Sequence, residues 1–430
     1  MSIFIKDLAR QVGETVEIKG WLYNKRSSGP IAFLELRDGS GWVQAVAVKD
    51  KVSAEVWSRV EAVSQESSVV VTGVVSKHPK KENVFEVQLT NLAVVQLAHD
   101  YPISKKEHGP DFLMENRHLW LRSKNQWAIL RVRDAVITAI NEFLHGEQFI
   151  KVDSPIFTPN ACEGTSTLFA VPYFDLGSAY LSQSGQLYIE AAIASVGRCY
   201  DFGPVFRAEK SKTKRHLTEF WMMDAEAAFV EHDQNLAIQE GLVRHIIRHC
   251  LAHCQEELTI LERDIEKLKK ADAPFTRYTY DQAIEKLHEL GSDIKHGEDL
   301  GNDDEGLLTK DSAVPVFIEK WPKEIKPFYM KLDPADPRRA LNDDLIATEG
   351  GGELIGGSQR EENVDILLER IKKEGLSQAD YEWYLDLRRY GAVPHSGFGI
   401  GLERAVRWVS GAEHIRECIP FPRTIGRLKP

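Results

Sequence analysis

The hydrophobic pattern changes its period near residue 97, and this change constrains the fold more than any other feature. Before it, short β-branched runs such as TVEIKGWLYN and SSVVVTGVVSK are partly alternating, and turn segments such as SSGP, DGSG and KHPKKEN separate them. After residue 125, apolar residues recur near helical spacing, and further strand signals follow. Two patterns in succession predict two modules, one β-rich and one mixed.

The first module, residues 1–97, reads as a small barrel. It contains five strand signals and one helical stretch, VSAEVWSRVEAV. This content favours an OB-fold, although an SH3-like barrel or a hairpin-rich sandwich stays open. Residues 98–125 carry Pro, Gly and basic residues without clean periodicity, so we predict a hinge or linker there.

Residues 126–430 predict an α+β domain with a largely antiparallel sheet, because strands mix with helices without strict alternation. A helix is expected from Trp127 to Leu144, with others over 233–270 and 361–389. Residues 291–311 read as a polar, acidic loop. The strand signals are FIKVDSPIF, AYLSQSGQLYIE, CYDFGPVFRAE, LTEFWMMDAEAAF, AVPVFIEKW, PFYMKL, ALNDDLIA and GELIGGSQRE.

Composition narrows the class of protein. No apolar run approaches the roughly 18–20 residues that cross a bilayer, and five cysteines without a CxxC pair indicate a reducing compartment. We therefore expect a cytoplasmic protein without a membrane segment. The net charge of −11 argues against a general coat of nucleic acid, yet residues 1–100 hold 12 Lys/Arg and 12 Asp/Glu. A local nucleic-acid site there stays possible.

Three motifs of the second module could carry chemistry, and neither a P-loop nor a dinucleotide fingerprint is present. Alternating glycines in GFGIGLER clear one face of a strand before Arg404. The hairpin VFRAE…LTEF offers Arg207 as an anion clamp and Phe220 as a stacking platform. The segment GGGELIGGSQR offers Glu353 as a Mg²⁺ ligand, close in sequence to NDD. Each motif has a plain alternative: a packed sheet crossing, a surface hairpin or a turn-rich connector.

One further cluster, His249-Cys250-His253-Cys254, has polar ligands at i,i+4 spacing on a helix. A single helix rarely supplies four tetrahedral ligands, and zinc-type spacing is absent. We interpret it as a packed helix face. Cys162 and Cys199 carry no nucleophile signature.

Taken in order, these motifs resemble the three ordered motifs of class II aminoacyl-tRNA synthetases. The helix and strand ending at Pro155, the FRAE hairpin and GFGIGLER carry the resemblance, and the preceding barrel narrows it to the aspartate, asparagine and lysine subgroup. SQSGQLYIE, GELIGGSQRE and RRYGAVPHSGFGIGLER are similar to the aspartyl/asparaginyl branch. The linker YPISKKEHGPDFLMENRHLWLRS looks most like the asparaginyl enzymes.

The resemblance implies a two-step reaction that uses ATP, Mg²⁺, an amino acid and tRNA. The amino-acid carboxylate attacks the α-phosphate, and the tRNA ribose then attacks the adenylate carbonyl. It implies a catalytic role for Arg207, Glu209 and Arg404, and a homodimer formed through Pro155. The implied ATP site comprises Arg207, Glu209, His216, Phe220, Glu353, Gly401 and Arg404, with Ser358 or its neighbours nearby and Glu353 as metal ligand; the implied amino-acid site comprises Glu163, Gln186, Arg207, Asp224, Glu226 and Arg360.

The resemblance also bears on which amino acid, asparagine or aspartate, is the substrate. At the position of Ile189, aspartyl enzymes carry a lysine that pairs with the substrate carboxylate, and Ile189 has no charge. Arg360 would meet the side-chain carbonyl oxygen, and Asp224 would accept from the amide. Asparaginyl enzymes have Glu more often at 224, so Glu226 is the alternative acceptor.

In the barrel, Phe33 and Gln44 match residues that stack on and hydrogen-bond to the middle anticodon uridine, and Arg26 lies nearby. Phe33 could instead be core packing. We therefore expect an L-asparagine–tRNA ligase. The alternatives are an aspartate–tRNA ligase, discriminating or not, and a synthetase-like RNA-binding protein without charging activity.

Overall fold

The computed structural model describes residues 2–104, 106–162, 168–210 and 216–430. The chain divides into two compact units, residues 1–114 and 115–430. The division falls within the segment 98–125. Each unit is built around its own hydrophobic core.

The first unit is a closed five-stranded barrel. Its elements are β1 (Thr15–Ser28), β2 (Ile31–Arg37), β3 (Trp42–Val48), helix α1 (Ala54–Ala62), β4 (Ser68–Lys77) and β5 (Phe85–Gln96). The strands close in the order β1-β2-β3-β5-β4, and β3 pairs with β5 in parallel. Every second residue of β3 and β4 is buried, because alternate side chains of a strand face the barrel interior. The predicted OB-fold is confirmed.

The second unit contains eleven α-helices, several short 3-10 turns and two sheets among its described residues, and α2 crosses its boundary. Its helices are α2 (Pro110–Glu115, shared with the end of the first unit), α3 (Arg117–Trp120), α4 (Lys124–Gly146), α5 (Gln186–Val196), α6 (His232–His253), α7 (Gln255–Ile260), α8 (Ile265–Lys270), α9 (Tyr280–Glu289), α10 (Asn302–Thr309), α11 (Val364–Lys373), α12 (Glu382–Arg389) and α13 (Leu402–Ser410). Its strands are β6 (Ile150–Lys151), β7 (Phe157–Thr158), β8 (Ala170–Pro172), β9 (Ser178–Leu181), β10 (Arg198–Phe206), β11 (Glu219–Ala228), β12 (Thr276–Thr279), β13 (Val316–Glu319), β14 (Asn342–Ala347), β15 (Gly352–Gln359) and β16 (His395–Gly401).

The large sheet is mostly antiparallel, as the sequence predicts. Its eight strands run in the order β12-β13-β14-β15-β16-β11-β10-β6, and the two outermost pairs are parallel. Helices α4, α6 and α13 contribute to the main core together with Met223 and Ala225 of β11. Because side chains alternate along a strand, Met222, Asp224 and Glu226 point to the opposite face. That face carries the candidate site.

Three sequence expectations about secondary structure are wrong. The strand signal in AYLSQSGQLYIE covers only β9, and its second half is the start of α5; residues Gln186–Val196 contain no helix breaker, so the run is long enough for a helix. PFYMKL forms isolated bridges at Met330 and Leu332 instead of a strand, because it begins with Pro327 and buries its aromatic residues in a side core. The acidic segment 291–311 contains α10.

The glycines of β16 allow the neighbouring strand β11 to bring carboxylates against it. Gly397 lies opposite Glu226, and Gly399 lies opposite Asp224. A Cβ at Gly397 would overlap the Glu226 carboxylate, and a Cβ at Gly399 would lie 2.5 Å from Asp224 Oδ1. At Gly401 the nearest atom would be Arg404 Cδ at 3.8 Å. The first two glycines therefore make room for protein atoms, whereas the third leaves open space.

We expect Gly397→Ala to destabilise the second unit by about 1–3 kcal/mol or more, because the added methyl group would overlap a buried carboxylate and the backbone of Ala225. Gly401→Ala is the matched control, with only ordinary contacts. Urea unfolding followed by circular dichroism measures both. Equal stability of the two variants would contradict the close-approach account.

Candidate active site

A cavity of about 610 Å³ lies over β11, β15 and β16 in the second unit. Ten of the residues that the sequence analysis assigned to ATP or amino-acid binding line it: Gln186, Arg207, Glu209, His216, Phe220, Asp224, Glu353, Arg360, Gly401 and Arg404. Residues up to 218 sequence positions apart therefore share one cleft. Glu163 lies outside the described residues. Ile189 packs in a separate small core with Ile193 and Cys199.

One end of the cavity combines cations with an aromatic ring. The Arg207 guanidinium lies 5.9 Å from the centre of the Phe220 ring. Burial lowers the pKa of His216; the positive charges of Arg207 and Arg404 lower it further, and Glu209 opposes them. His216 is therefore biased toward its neutral form beside two permanent cations. This end suits a flat ring and a polyanion.

The acidic wall next to it is formed by Glu353 and Asp344. Arg404 Nη1 donates to the Glu353 backbone oxygen at 2.8 Å and to its Oε2 at 3.2 Å. Burial alone would raise the pKa of Glu353, but Arg404 and Lys326 outweigh it and lower the pKa below its ordinary value. Burial raises the pKa of Asp344 to about 7, with Lys326 opposing and Glu353 adding to the shift. The carboxylates of Glu353 and Asp344 thus lie near one another on this wall, together with the Lys326 ammonium group.

Lys326 is a site residue that the sequence analysis missed. Its Nζ donates to Asp344 Oδ2 at 2.7 Å and lies 3.9 Å from the centre of the Trp321 ring. Asp299 and Glu305 reach the same cavity from the segment read as an acidic loop. Pro327, the residue after Lys326, is a turn residue, but no local sequence pattern indicated that this turn packs against the large sheet.

The opposite end of the cavity is a buried cluster of charges. Arg360 Nε donates to Glu226 Oε1 at 3.0 Å, and its Nη1 donates to Ser358 Oγ at 2.6 Å. Burial and the nearby Glu190 raise the pKa of Glu226, although Arg360 opposes the shift. Ser358 is thus placed beside Arg360 and does not line the cavity.

Glu190 anchors this cluster from α5. It is fully buried and accepts hydrogen bonds from Arg388 Nη2, Tyr384 Oη and Gln186 Nε2. Burial would raise its pKa, but Arg388 and His395 outweigh it, so the pKa lies well below the ordinary range. Glu190 is therefore a fixed anion that accepts a hydrogen bond from Gln186 and lies near Arg360.

Asp224 occupies a different place from Glu226, although both belong to β11. Its Oδ2 accepts hydrogen bonds from Ser184 Oγ and from the Gly185 backbone, each at 2.9 Å. Asp224 lines the cavity together with Gln186, whereas Glu226 lies behind Arg360. Asp224 can therefore meet a ligand directly, whereas Glu226 can act only through Arg360.

Glu403, in the same motif as Arg404, supports the site from below. It is buried, its Oε1 accepts from Arg133 Nη1 at 2.7 Å, and its Oε2 accepts from the Trp221 backbone at 3.1 Å. Burial raises its pKa, with Arg133 opposing. The carboxylate thus joins α4, β11 and α13 beneath the cavity.

The barrel has its own groove, of about 530 Å³, and the three predicted anticodon residues line it. The Arg26 guanidinium lies 4.7 Å from the centre of the Phe33 ring, and its Nη2 donates to Gln44 Oε1 at 2.8 Å. Gln44 in turn donates to Glu86 Oε1 at 2.6 Å. Phe33 is absent from the barrel core, so the core-packing alternative is wrong.

Pro155 borders a shallow depression of about 200 Å³ with Asp153, Asp201 and Trp221. Burial raises the pKa of Asp201 to about 6. Nearby apolar side chains are exposed, including Ile156 and Phe157.

Within the described ranges, no helix is both long enough and apolar enough to span a bilayer.

Comparison with known proteins agrees with both units. The family described as "tRNA synthetases class II (D, K and N)" matches residues 109–425, and the "OB-fold nucleic acid binding domain" family matches residues 16–95. The chain belongs to the class II tRNA synthetases of this aspartate, lysine and asparagine group.

Solved structures of asparaginyl and aspartyl enzymes of this group are similar to the chain to different degrees. Asparaginyl-tRNA synthetase of Pyrococcus horikoshii complexed with asparaginyl-adenylate is 42% identical, with a TM-score of 0.96 and 100% of each chain covered. The Entamoeba histolytica asparaginyl enzyme with asparaginyl-adenylate is 31% identical, with a TM-score of 0.90 and 100% of each chain covered. Aspartyl tRNA synthetase from Entamoeba histolytica is 29% identical, with a TM-score of 0.84, covering 100% of this chain and 93% of its own.

The cluster around Glu190 predicts a strong effect of one arginine. Arg388→Met should destabilise the second unit by about 3–5 kcal/mol, because it leaves the fully buried Glu190 without its main cation. Arg389→Met is the matched control at the next position, where the guanidinium pairs with exposed Glu382 and Asp386 and should matter little. Urea unfolding compares the two, and a small effect at Arg388 would show that Glu190 is held by other groups.

Proposed function

We propose that this chain attaches L-asparagine to tRNA at the expense of ATP, through an asparaginyl-adenylate. The observation that carries the proposal is that Arg360 and Asp224 both line the inner end of the cavity, with Arg360 held from behind by Glu226. A primary amide presents one acceptor oxygen and one donor NH₂, and the guanidinium and the Asp224 carboxylate present the complementary donor and acceptor. Aspartate would instead place a second carboxylate against Asp224.

Gln186 would bind the α-amino group, since an ammonium donates three hydrogen bonds and Gln186 lines the cavity beside Asp224. Asp224 keeps the amide that the sequence analysis gives it, because its carboxylate lines the cavity. Glu226 is buried behind Arg360 and would act by holding that guanidinium in place.

The cationic end of the cavity suits ATP. Arg207 would neutralise the substrate carboxylate and the α-phosphate together, which reduces the repulsion between two anions that must react. The carboxylate oxygen then forms a bond to the α-phosphorus while the bond to pyrophosphate breaks. Phe220 and Arg404 would hold the adenine between a ring and a guanidinium plane, and Glu209 and His216 would contact the nucleotide.

The donor set of the acidic wall fits Mg²⁺. Glu353 and Asp344 supply hard oxygen ligands beside the triphosphate end, and their mutual repulsion is what a cation would relieve. We propose that Glu353 holds the ion and that Asp344 assists. When bound, Mg²⁺ would neutralise phosphate charge. Arg207 and Arg404 would orient the same phosphates from the other side.

Two further features belong to the proposal. The barrel groove, with Arg26, Phe33 and Gln44, would read the anticodon by stacking and hydrogen bonding. The chain would act as a homodimer in the cytoplasm, with the exposed apolar residues around Pro155 buried by a second copy. All five cysteines are buried and none forms a disulfide, which accords with a reducing compartment.

The test is ATP–pyrophosphate exchange with each amino acid. We expect exchange with asparagine and at least about hundredfold weaker exchange with aspartate, because the buried polar pair would be mismatched by a carboxylate. Exchange supported by aspartate and not by asparagine would contradict the proposal.

A matched pair of variants separates the two carboxylates in the same assay. Asp224→Asn should reduce the preference for asparagine over aspartate, whereas Glu226→Gln should raise the KM of both amino acids alike, because it loosens Arg360. The reverse pattern would assign the amide to Glu226.

Variants in the barrel groove and in the large cavity should affect different activities. Gln44→Ala should lower tRNA aminoacylation about three- to tenfold, the value of one or two hydrogen bonds, and leave pyrophosphate exchange unchanged. Gln88→Ala is the control, since Gln88 lies on the barrel outside the groove and bonds to Ser76. Equal loss of both activities in Gln44→Ala would contradict the division of labour.

A further inference from the structure

The crossing of α4 and α6 brings together a group of metal-ligating side chains far from the motifs of the active site. Glu142 of α4 faces His245 and His249 of α6, and one ligand atom of each lies within 4.8 Å of the other two. His249 Nδ1 is 3.0 Å and His245 Nε2 is 3.5 Å from Glu142 Oε2. Ligand atoms around a tetrahedral zinc ion lie about 3.3 Å apart, so small side-chain rotations suffice.

Local packing explains why the two helices meet here. A Cβ at Gly241 would lie 3.0 Å from Phe143 Cζ, so the glycine lets α6 approach α4 closely. His245 and His249 follow Gly241 at i+4 and i+8, on the same face of α6. Glu142 adjoins Phe143 on the other helix. The histidines are therefore aligned toward the carboxylate by the helix period.

The second observation is an unsatisfied nitrogen. His245 Nε2 is buried and makes no hydrogen bond to any described residue. A buried nitrogen without a hydrogen bond costs free energy, and a metal ion between it and Glu142, 3.5 Å away, would satisfy it. Glu142 is exposed, so the group is open to solvent on one side and an ion can enter.

We propose that Glu142, His245 and His249 form a binding site for a zinc-class divalent ion that clamps α4 to α6. Imidazole and carboxylate ligands together suit Zn²⁺, and three protein ligands leave a fourth position for water. The exposed ring of His253 lies tilted against the ring of His249, with centroids 4.5 Å apart, and would shield the ion. The role is structural, because the site is independent of the cavity residues.

The sequence analysis had grouped His249 and His253 with Cys250 and Cys254. The structure separates them, since both cysteines are buried in the main core, whereas His249 is partly exposed and His253 is exposed. The packed-face interpretation holds for the cysteines. The ligand set changes because Glu142, which is distant in sequence, replaces them.

The experiment is a Zn²⁺ titration of the whole protein in excess Mg²⁺, which keeps hard-cation positions at Glu353 filled. We expect one tight zinc ion per chain and a higher midpoint of thermal unfolding with zinc. The double variant His245→Ala/His249→Ala should bind at least about tenfold more weakly, and its midpoint should not respond. His118→Ala, at an exposed histidine of the same unit, should behave as the unchanged protein.

Glu142→Gln is the second variant, since this exposed side chain can be replaced without loss of folding. It should also weaken zinc binding at least about tenfold, because the amide is a poorer ligand. Wild-type affinity in both variants, or an equal rise of the unfolding midpoint with zinc in all four proteins, would overturn the proposal. Neither readout depends on aminoacylation.

Discussion

The second unit depends on the close approach of β11 and β15 to β16, whose glycines remove side chains from one face. Buried carboxylates of β11 occupy the space that Cβ atoms would fill at Gly397 and Gly399. Where the glycine run ends, at Gly401, the space is left to the cavity. One strand therefore accommodates both the protein's charged residues and, in our proposal, a flat nucleotide.

Charged side chains around this strand are arranged in ion pairs. Glu226 lies against Arg360, Glu190 against Arg388, and Glu353 against Arg404. Such pairs cost desolvation, so they are weak sources of stability, but they fix donors and acceptors at defined positions. That fixation is what recognition of an amide against an isosteric carboxylate requires. The same ion pairs therefore balance the charges around this strand and, in our proposal, support the selectivity for asparagine.

The helical layer fixes the position of the sheet from its other side. Glu403 joins α4, β11 and α13, and Asn235 of α6 donates to the Gly397 backbone oxygen at 3.1 Å. The contact between α4 and α6 therefore bears on the geometry of β16. A metal ion at Glu142, His245 and His249 would stiffen this contact without touching substrate, which accounts for a structural site at that crossing.

The sequence by itself determined the two modules, the barrel, the antiparallel character of the large sheet and most of the cavity lining, because alternation, glycine spacing and ordered motifs are local or linear signals. Tertiary structure alone decided which partner each charged residue has. Lys326 and the acidic segment near Asp299 join the cavity through long-range packing, α5 replaces a predicted strand, and Glu226 rather than Asp224 contacts Arg360. Linear patterns record the face of an element, but the neighbour across that face depends on how distant elements pack.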